Sequence, residues 1–422
     1  MPNTEFPGRM NRFRLQRSMD PAPAHVQRAF FILAGATAAF GFSMAANQNI
    51  VSNFFEDQLG LKGPQFGYIT AIREIPGFLL IFLTALLFRL SLPHLTALAM
   101  ILLAVGYSMF GFADSFWSVA PWVIISSMGY HTWLQTQTAM ALSMTRESKS
   151  GSVLGRLTAV NQAGSLAAMA FVFLAFRYEW VDFKQMFIIC GALALVAAAM
   201  VFRFPNMHNG ELLERKQERE RIVLRRDYRL YYLLSLLDGG RQQIFFSFGL
   251  WVLVDHFNLG VPAISMIMLV TSGLAMVSGP WIGRMIDVHG ERRMLGVVNV
   301  AYIVALLGYA LIDHTAVAIM CYVIYSLIFP LSAMGASVYL RKIAPARDVA
   351  PSLAMGITMQ HAAAIVIPVL TGFVLNFVGY QIPFLVASGF ALVTVFVTRR
   401  IDPIGQRTAS KRAEEESYAV GA

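Results

Sequence analysis

Six ionisable side chains lie inside long apolar runs: Arg73, Glu74, His131, Asp238, Arg241 and His361. A charge placed in hydrocarbon is costly, so such groups persist where they pair with one another, bind a solute or carry an ion. Asp238 and Arg241 are three residues apart, a spacing that puts both on one face of a helix. They can neutralise each other. Alternatively Arg241, about 15 Å along its run and close to mid-bilayer, faces a cavity and holds an anionic group or toggles a salt bridge. Arg73 and Glu74 are neighbours, about 100° apart around a helix, and are not expected to share a face. Arg73 is within snorkelling reach of the membrane surface, as an anchor or as a second anion contact. Glu74 is a candidate proton carrier or a structural hydrogen-bonding group, and Pro76-Gly77 just after it would loosen its helix.

Uncharged polar groups add to this set. His131, Gln135 and Thr138 are spaced i, i+4, i+7, one polar stripe on an otherwise buried helix. Asn47, Gln360 and the imidazole of His361 can hydrogen-bond a polar solute or fasten helices together. Tyr322, Tyr325 and Phe329 form an aromatic stripe, read as packing or, through Tyr325, as a wall for a partly apolar solute. The histidines show no compact metal-ligand spacing, so neither a metal nor a cofactor is expected. There is no GK[ST] phosphate loop, HExxH pair or nucleophile elbow. Catalysis on a covalent bond is not expected.

The elements that must position these groups are set by composition. The chain has 422 residues, 57% hydrophobic and 14% charged. Soluble domains carry about 25% charged residues, so this chain cannot cover a water-facing surface. A spanning helix needs about 20 apolar residues. Twelve runs qualify, over 29–52, 66–88, 93–113, 117–141, 152–176, 184–204, 231–254, 264–286, 294–312, 316–340, 352–376 and 380–400. Residues 1–28 are polar and basic, and the run after them is too long for a signal-peptide core. It reads as a first span that stays.

Residues 205–230 form a dense charged segment, read as a helix-rich linker, that separates a bundle over 29–204 from one over 231–400, with a tail at 401–422. Of the 33 Lys and Arg, only Lys62, Arg177 and Lys184 fall on the side opposite this linker; Arg73 and Arg241 lie inside helices. Such a bias predicts a cytoplasmic linker and cytoplasmic termini. It also accounts for the net charge of +9 without nucleic acid as a partner. A faint repeat pairs Ser152, Thr158 and Asn161 with Ser352, Thr358 and His361 at one constant offset. Together these observations predict an all-α membrane protein of twelve transmembrane helices in two pseudo-symmetric six-helix bundles.

The stretch Gly279-Pro-Trp-Ile-Gly283-Arg-Met-Ile-Asp287-Val-His-Gly290-Glu-Arg292-Arg293 carries spaced glycines, an acid and a basic pair. It resembles the loop signature of the major facilitator superfamily. The likeness extends over essentially the whole chain, through Gly155-Arg156 and through Gly372 and Gly379-Tyr380. The corresponding loop of the first bundle, Leu87 to His94, lacks the acid and the basic pair, a departure from the common drug–proton antiporter branches. The resemblance implies that Gly279, Gly283, Asp287, Arg292 and Arg293 latch the cytoplasmic side, and that helices 1, 4, 7 and 10 line a central cavity.

What the resemblance implies for function is a secondary active transporter in the plasma membrane, a bacterial inner membrane by its character. It would move a small solute, an organic anion or zwitterion by the arginines, with protons as the coupling ion and membrane lipids around it. Two other readings stay open: an exporter of amphipathic drugs or lipids, and a non-transporting receptor or assembly factor on the same scaffold.

Overall fold

A computed structural model describes residues 23–79, 90–144, 150–205, 207–208, 211–212, 225–344, 346–402 and 405. Twelve helices follow one another. The first six are α1 Ala24–Asn53, α2 Gly63–Phe78, α3 Leu92–Phe110, α4 Phe116–Ser143, α5 Ser150–Arg177 and α6 Phe183–Val201. In the second set, α7 begins as Arg229–Gln243, passes through a π-helical stretch Ile244–Gly249 and ends as Leu250–Asp255. It is followed by α8 Val261–His289, α9 Glu291–Leu311, α10 Thr315–Ile343, α11 Ala346–Val378 and α12 Gln381–Thr398. The inner part of the expected second span and most of the linker lie outside the described residues. In the described part of the linker, Met207–His208 and Glu211–Leu212 pair as a two-residue antiparallel hairpin, β1 and β2, and Arg226–Tyr228 form a 3-10 turn that leads into α7.

Nine helices among the described residues are long and apolar enough to cross a membrane on their own account. Those that fall short are α2, α4 and α7. The described part of α2 has only 16 residues, while α4 and α7 are diluted by Ser126, Ser127, His131 and Gln135 and by Asp238, Arg241, Gln242 and Gln243. The helices least able to cross alone are thus the ones that carry polar candidates, and their neighbours must shield them. Large apolar side chains such as Phe31, Trp117, Val277 and Phe377 lie on the outside, as they do when lipid rather than water is the solvent. The chain is a multi-pass membrane protein.

The two sets of six pack by the same plan. In the first, α1 packs on α5 and α6, α3 on α4 and α6, and α2 on α4; in the second, α7 packs on α11 and α12, α9 on α10 and α12, and α8 on α10. Each pairing recurs six helices later. The halves meet through a reciprocal exchange, α2 against α11 and α8 against α5. This is the architecture of two parallel repeats related by an axis along the membrane normal.

The halves are held together at the end remote from the linker, here called the distal end. Gly63 and Gly67 of α2 lie against Gly372 and Pro368 of α11; a Cβ on Gly67 would sit 2.4 Å from the Pro368 carbonyl oxygen. Phe66 stacks on Trp251 of α7 at 5.5 Å, and Asn53 donates to the Leu259 carbonyl at 3.1 Å. Trp251, whose position near a helix end suggests an interface anchor, is in fact 4% exposed and part of this closure. At the same end Lys62 donates to Glu56 at 3.0 Å, and that hydrogen bond raises the Lys62 pKa. Because a branched side chain at position 67 cannot fit, Gly67→Leu is expected to part α2 from α11. A cysteine at Ile69, itself 3% exposed, then reacts several-fold faster with a water-soluble maleimide. An unchanged rate means the distal end does not rely on this contact.

Candidate functional site

Glu74 sits where the halves join. It lies on α2 about 16 Å from that helix's distal start, at 1.5 Å per residue, and is 7% exposed. Its Oε2 is 3.2 Å from His361 Nδ1, on α11 of the other half, and 3.8 Å from His131 Nε2, on α4 of its own half. Its Oε1 accepts from Arg73, whose Nε and Nη2 both approach to 3.2 Å. Adjacent residues on a helix were expected to point apart; the long Arg73 side chain instead curls back around the helix to its neighbour. The Arg73 side chain is 47% exposed, against 9% for Glu74, so the guanidinium is both paired and accessible.

His131 is held by its own helix. Its Nδ1 is 3.0 Å from the Ser127 carbonyl oxygen and 3.0 Å from Ser127 Oγ. The Ser127 hydroxyl donates to the Arg73 carbonyl. The Ser127 carbonyl and the Ser127 hydroxyl oxygen therefore both present acceptors to Nδ1, so Nδ1 carries a proton and Nε2 faces Glu74. The ring lies on Gly77, where a Cβ would come within 2.6 Å of it, and meets the His361 ring edge-on at 5.2 Å. Pro76 removes a backbone donor within α2 beside this packing. The histidines do form a compact group: Glu74, His131 and His361 place one ligand atom each within 4.8 Å of one another. Spacing along the chain concealed this, because the three residues come from three helices.

Asp238 and Arg241 form a second cluster, within the C-terminal half. Arg241 is 1% exposed. It bonds Asp238 Oδ1 and donates to the Tyr325 hydroxyl at 2.7 Å. Its guanidinium lies 3.5 Å from the centre of the Tyr302 ring, a cation–π contact. Ser332 donates to the same Asp238 oxygen at 2.7 Å. Of the two readings of this pair, a cavity-facing Arg241 and mutual neutralisation, the structure has the second: Arg241 is enclosed by α7, α9 and α10 and paired with Asp238. Tyr325 is likewise buried, stacked on Phe245 at 3.6 Å. A cavity within the C-terminal half borders Asp238. It has a volume of about 330 Å³, with Tyr231, Ser235, Asp238, Ser332, Gln360 and Thr394 in its wall.

Other candidates separate. Gln360 reaches this cavity. Gln135 and Thr138 are exposed, whereas His131 is buried, so the stripe on α4 does not act as one surface. Gln137, two residues beyond Gln135, makes the contact to α1, at 3.5 Å from Thr37 Oγ1. Asn47 is 6% exposed and its Nδ2 has no hydrogen-bond partner among the described residues. The side chains of Gly279, Gly283 and Asp287 lie outside the described residues; Arg292 and Arg293 are exposed at the start of α9. Ser127, Tyr302 and Ser332 were not singled out from the sequence. Ser127 had a local signal, four residues before His131 on the same face. Tyr302 and Ser332 had none.

Comparison with known proteins fits this geometry. The family profile described as Major Facilitator Superfamily matches residues 31–332 and 231–420. No curated protein matches. Among solved structures, that of the nucleoside transporter NupG superposes with a TM-score of 0.72 at 16% identity, covering 88% of this chain and 98% of that one. A bacterial homologue of the human lysosomal transporter Spinster, in an inward-facing, unoccupied conformation, gives 0.70 at 12%, covering 93% and 99%. A D-xylose–proton symporter gives 0.70 at 11%, covering 90% and 98%. At these identities the likeness is one of fold.

Proposed function

The chain belongs to the major facilitator superfamily, and on that premise we propose that it is a secondary active transporter that moves a small solute by alternating access. One observation carries the reading: the buried Glu74 carboxylate is shared by a histidine of each half. This link exists while the distal end is closed and has to break when α2 and α11 part. Loading and unloading of Glu74 is thereby tied to which side of the protein is open, as coupled transport requires. Protons are the coupling ion in this reading, with the D-xylose–proton symporter as a precedent on the same fold.

The solute is an organic anion or zwitterion. The reason differs from the one the sequence suggests, because Arg241 is committed to Asp238, Tyr302 and Tyr325. Arg73 is the candidate cation that remains accessible, and it stands beside the junction of the halves. Gln360 and Asp238 offer further polar contacts from the C-terminal wall. The linker end is cytoplasmic in this reading, by the distribution of Lys and Arg.

A thermal-shift screen of the purified protein against a solute library tests it, since a ligand that binds only the folded state raises apparent stability by mass action. An organic anion is expected to stabilise wild type and to lose that effect in Arg73→Gln. If only neutral or amphipathic compounds stabilise the protein, the anion assignment fails and an exporter of amphipaths takes its place.

A further inference from the structure

We propose that Glu74, His131 and His361 form a site for a divalent transition-metal ion of the zinc class, and that the bound ion clamps the two halves at their junction. The proposal needs no transported solute and stands apart from the transport reading.

The argument starts from the lone pairs. His131 Nδ1 holds a proton against its two contacts with Ser127, so in the neutral form of the ring it is Nε2 that points a lone pair at Glu74 Oε2, 3.8 Å away. Two acceptors that face each other in a buried site need a proton or a metal cation between them. Arg73 satisfies Oε1 and leaves Oε2 to that cation. His361 Nδ1 converges on the same oxygen at 3.2 Å. Two imidazoles and one carboxylate suit zinc, cobalt, nickel or iron, and do not suit magnesium or calcium, which take oxygen ligands.

The distances fit as well. Tetrahedral zinc with bonds of about 2.0–2.1 Å sets its ligand atoms about 3.3 Å apart. The carboxylate and His361 already have that separation, His131 has to approach the carboxylate by about 0.5 Å to reach it, and the two imidazole nitrogens, which lie within 4.8 Å of each other, have to settle at the same spacing. The Ser127 contacts fix tautomer and ring orientation, as outer partners of ligating histidines do, and Gly77 supplies the flat surface on which the ring rests. Three protein ligands leave a fourth position for water. Since two ligands come from the first half and one from the second, the ion can be held by all three only while α2 and α11 are together.

The test uses the full-length protein in detergent, freed of metal by a chelator. Isothermal titration with Zn²⁺ is expected to give one saturable site per chain, absent on titration with Mg²⁺. His361→Gln and His131→Gln each remove it, and Ser127→Ala weakens it about 10- to 100-fold through the lost outer contact. Two ligand variants from different halves guard against one failing to fold, and circular dichroism verifies each. Zn²⁺ is also expected to slow maleimide labelling of Ile69→Cys in the wild-type background and to leave it unchanged with His361→Gln. Failure of wild type to bind Zn²⁺, or binding that survives both histidine variants, overturns the site. Binding without slowed labelling overturns the clamp.

Discussion

Arg241→Met is expected to destabilise the folded protein by about 3–5 kcal/mol, the cost of leaving one member of a buried ion pair without its partner. Asp238 would keep the hydrogen bond from Ser332 and lose the full charge that offsets its own. Arg241 also fills the space over the Tyr302 ring, and Met replaces its volume without its charge, so the loss is electrostatic more than steric. The double variant Asp238→Asn with Arg241→Met recovers much of the loss, because no charge is then buried. By contrast Lys62→Met, at a pair whose lysine side chain is 65% exposed, changes stability by about 0–1 kcal/mol. Unfolding by denaturant in detergent gives all these differences. A wild-type-like Arg241→Met would show that water reaches Asp238 and that the cluster is open. The same experiment separates structure from recognition: an enclosed Arg241 changes how much protein folds, and leaves solute affinity per folded molecule nearly unchanged.

The outcome at Arg241 shows what a sequence can and cannot convey. The all-α membrane fold and its succession of long apolar helices could be read directly, because each depends on local composition against the thickness of a bilayer. The membership of the cluster was also legible, since a Glu and two His are conspicuous in apolar runs. Their meeting was not. Glu74 and His361 touch across the halves, and a contact between residues so distant in sequence leaves no periodicity to read. The direction of Arg241 depends on rotation about the axis of α7. The π-helical stretch Ile244–Gly249 just beyond it changes the angular step per residue, so no fixed helical period fixes both ends of that helix. Arg73 and Glu74 failed for a simpler reason: a rule about Cα positions says little about a side chain long enough to turn around the helix.

Glu74→Ala is expected to shift the protein away from the distal-closed state by about 10- to 150-fold. The carboxylate contributes charge-assisted hydrogen bonds, each worth about 1.5–3 kcal/mol, and at least the one to His361 exists only when the halves are together. A free-energy change confined to one conformation moves the equilibrium between conformations by that amount. The ion pair with Arg73 lies within α2 and survives opening, so it does not enter the balance. Labelling of Ile69→Cys reads the shift: faster reaction in Glu74→Ala, and a rate equal to wild type if the clasp contributes nothing. Glu74→Gln is the sharper variant. Its amide keeps the shape and can still hydrogen-bond His361, so closure is weakened less, yet it cannot take up and release a proton at neutral pH. If Glu74 couples the solute to protons, Glu74→Gln still exchanges labelled solute across the membrane and no longer accumulates it against a gradient. Accumulation that persists in Glu74→Gln, alongside faster labelling in Glu74→Ala, would make the residue a gate and remove it from coupling. Those two roles rest on the same 3.2 Å contact, and only the charge distinguishes them.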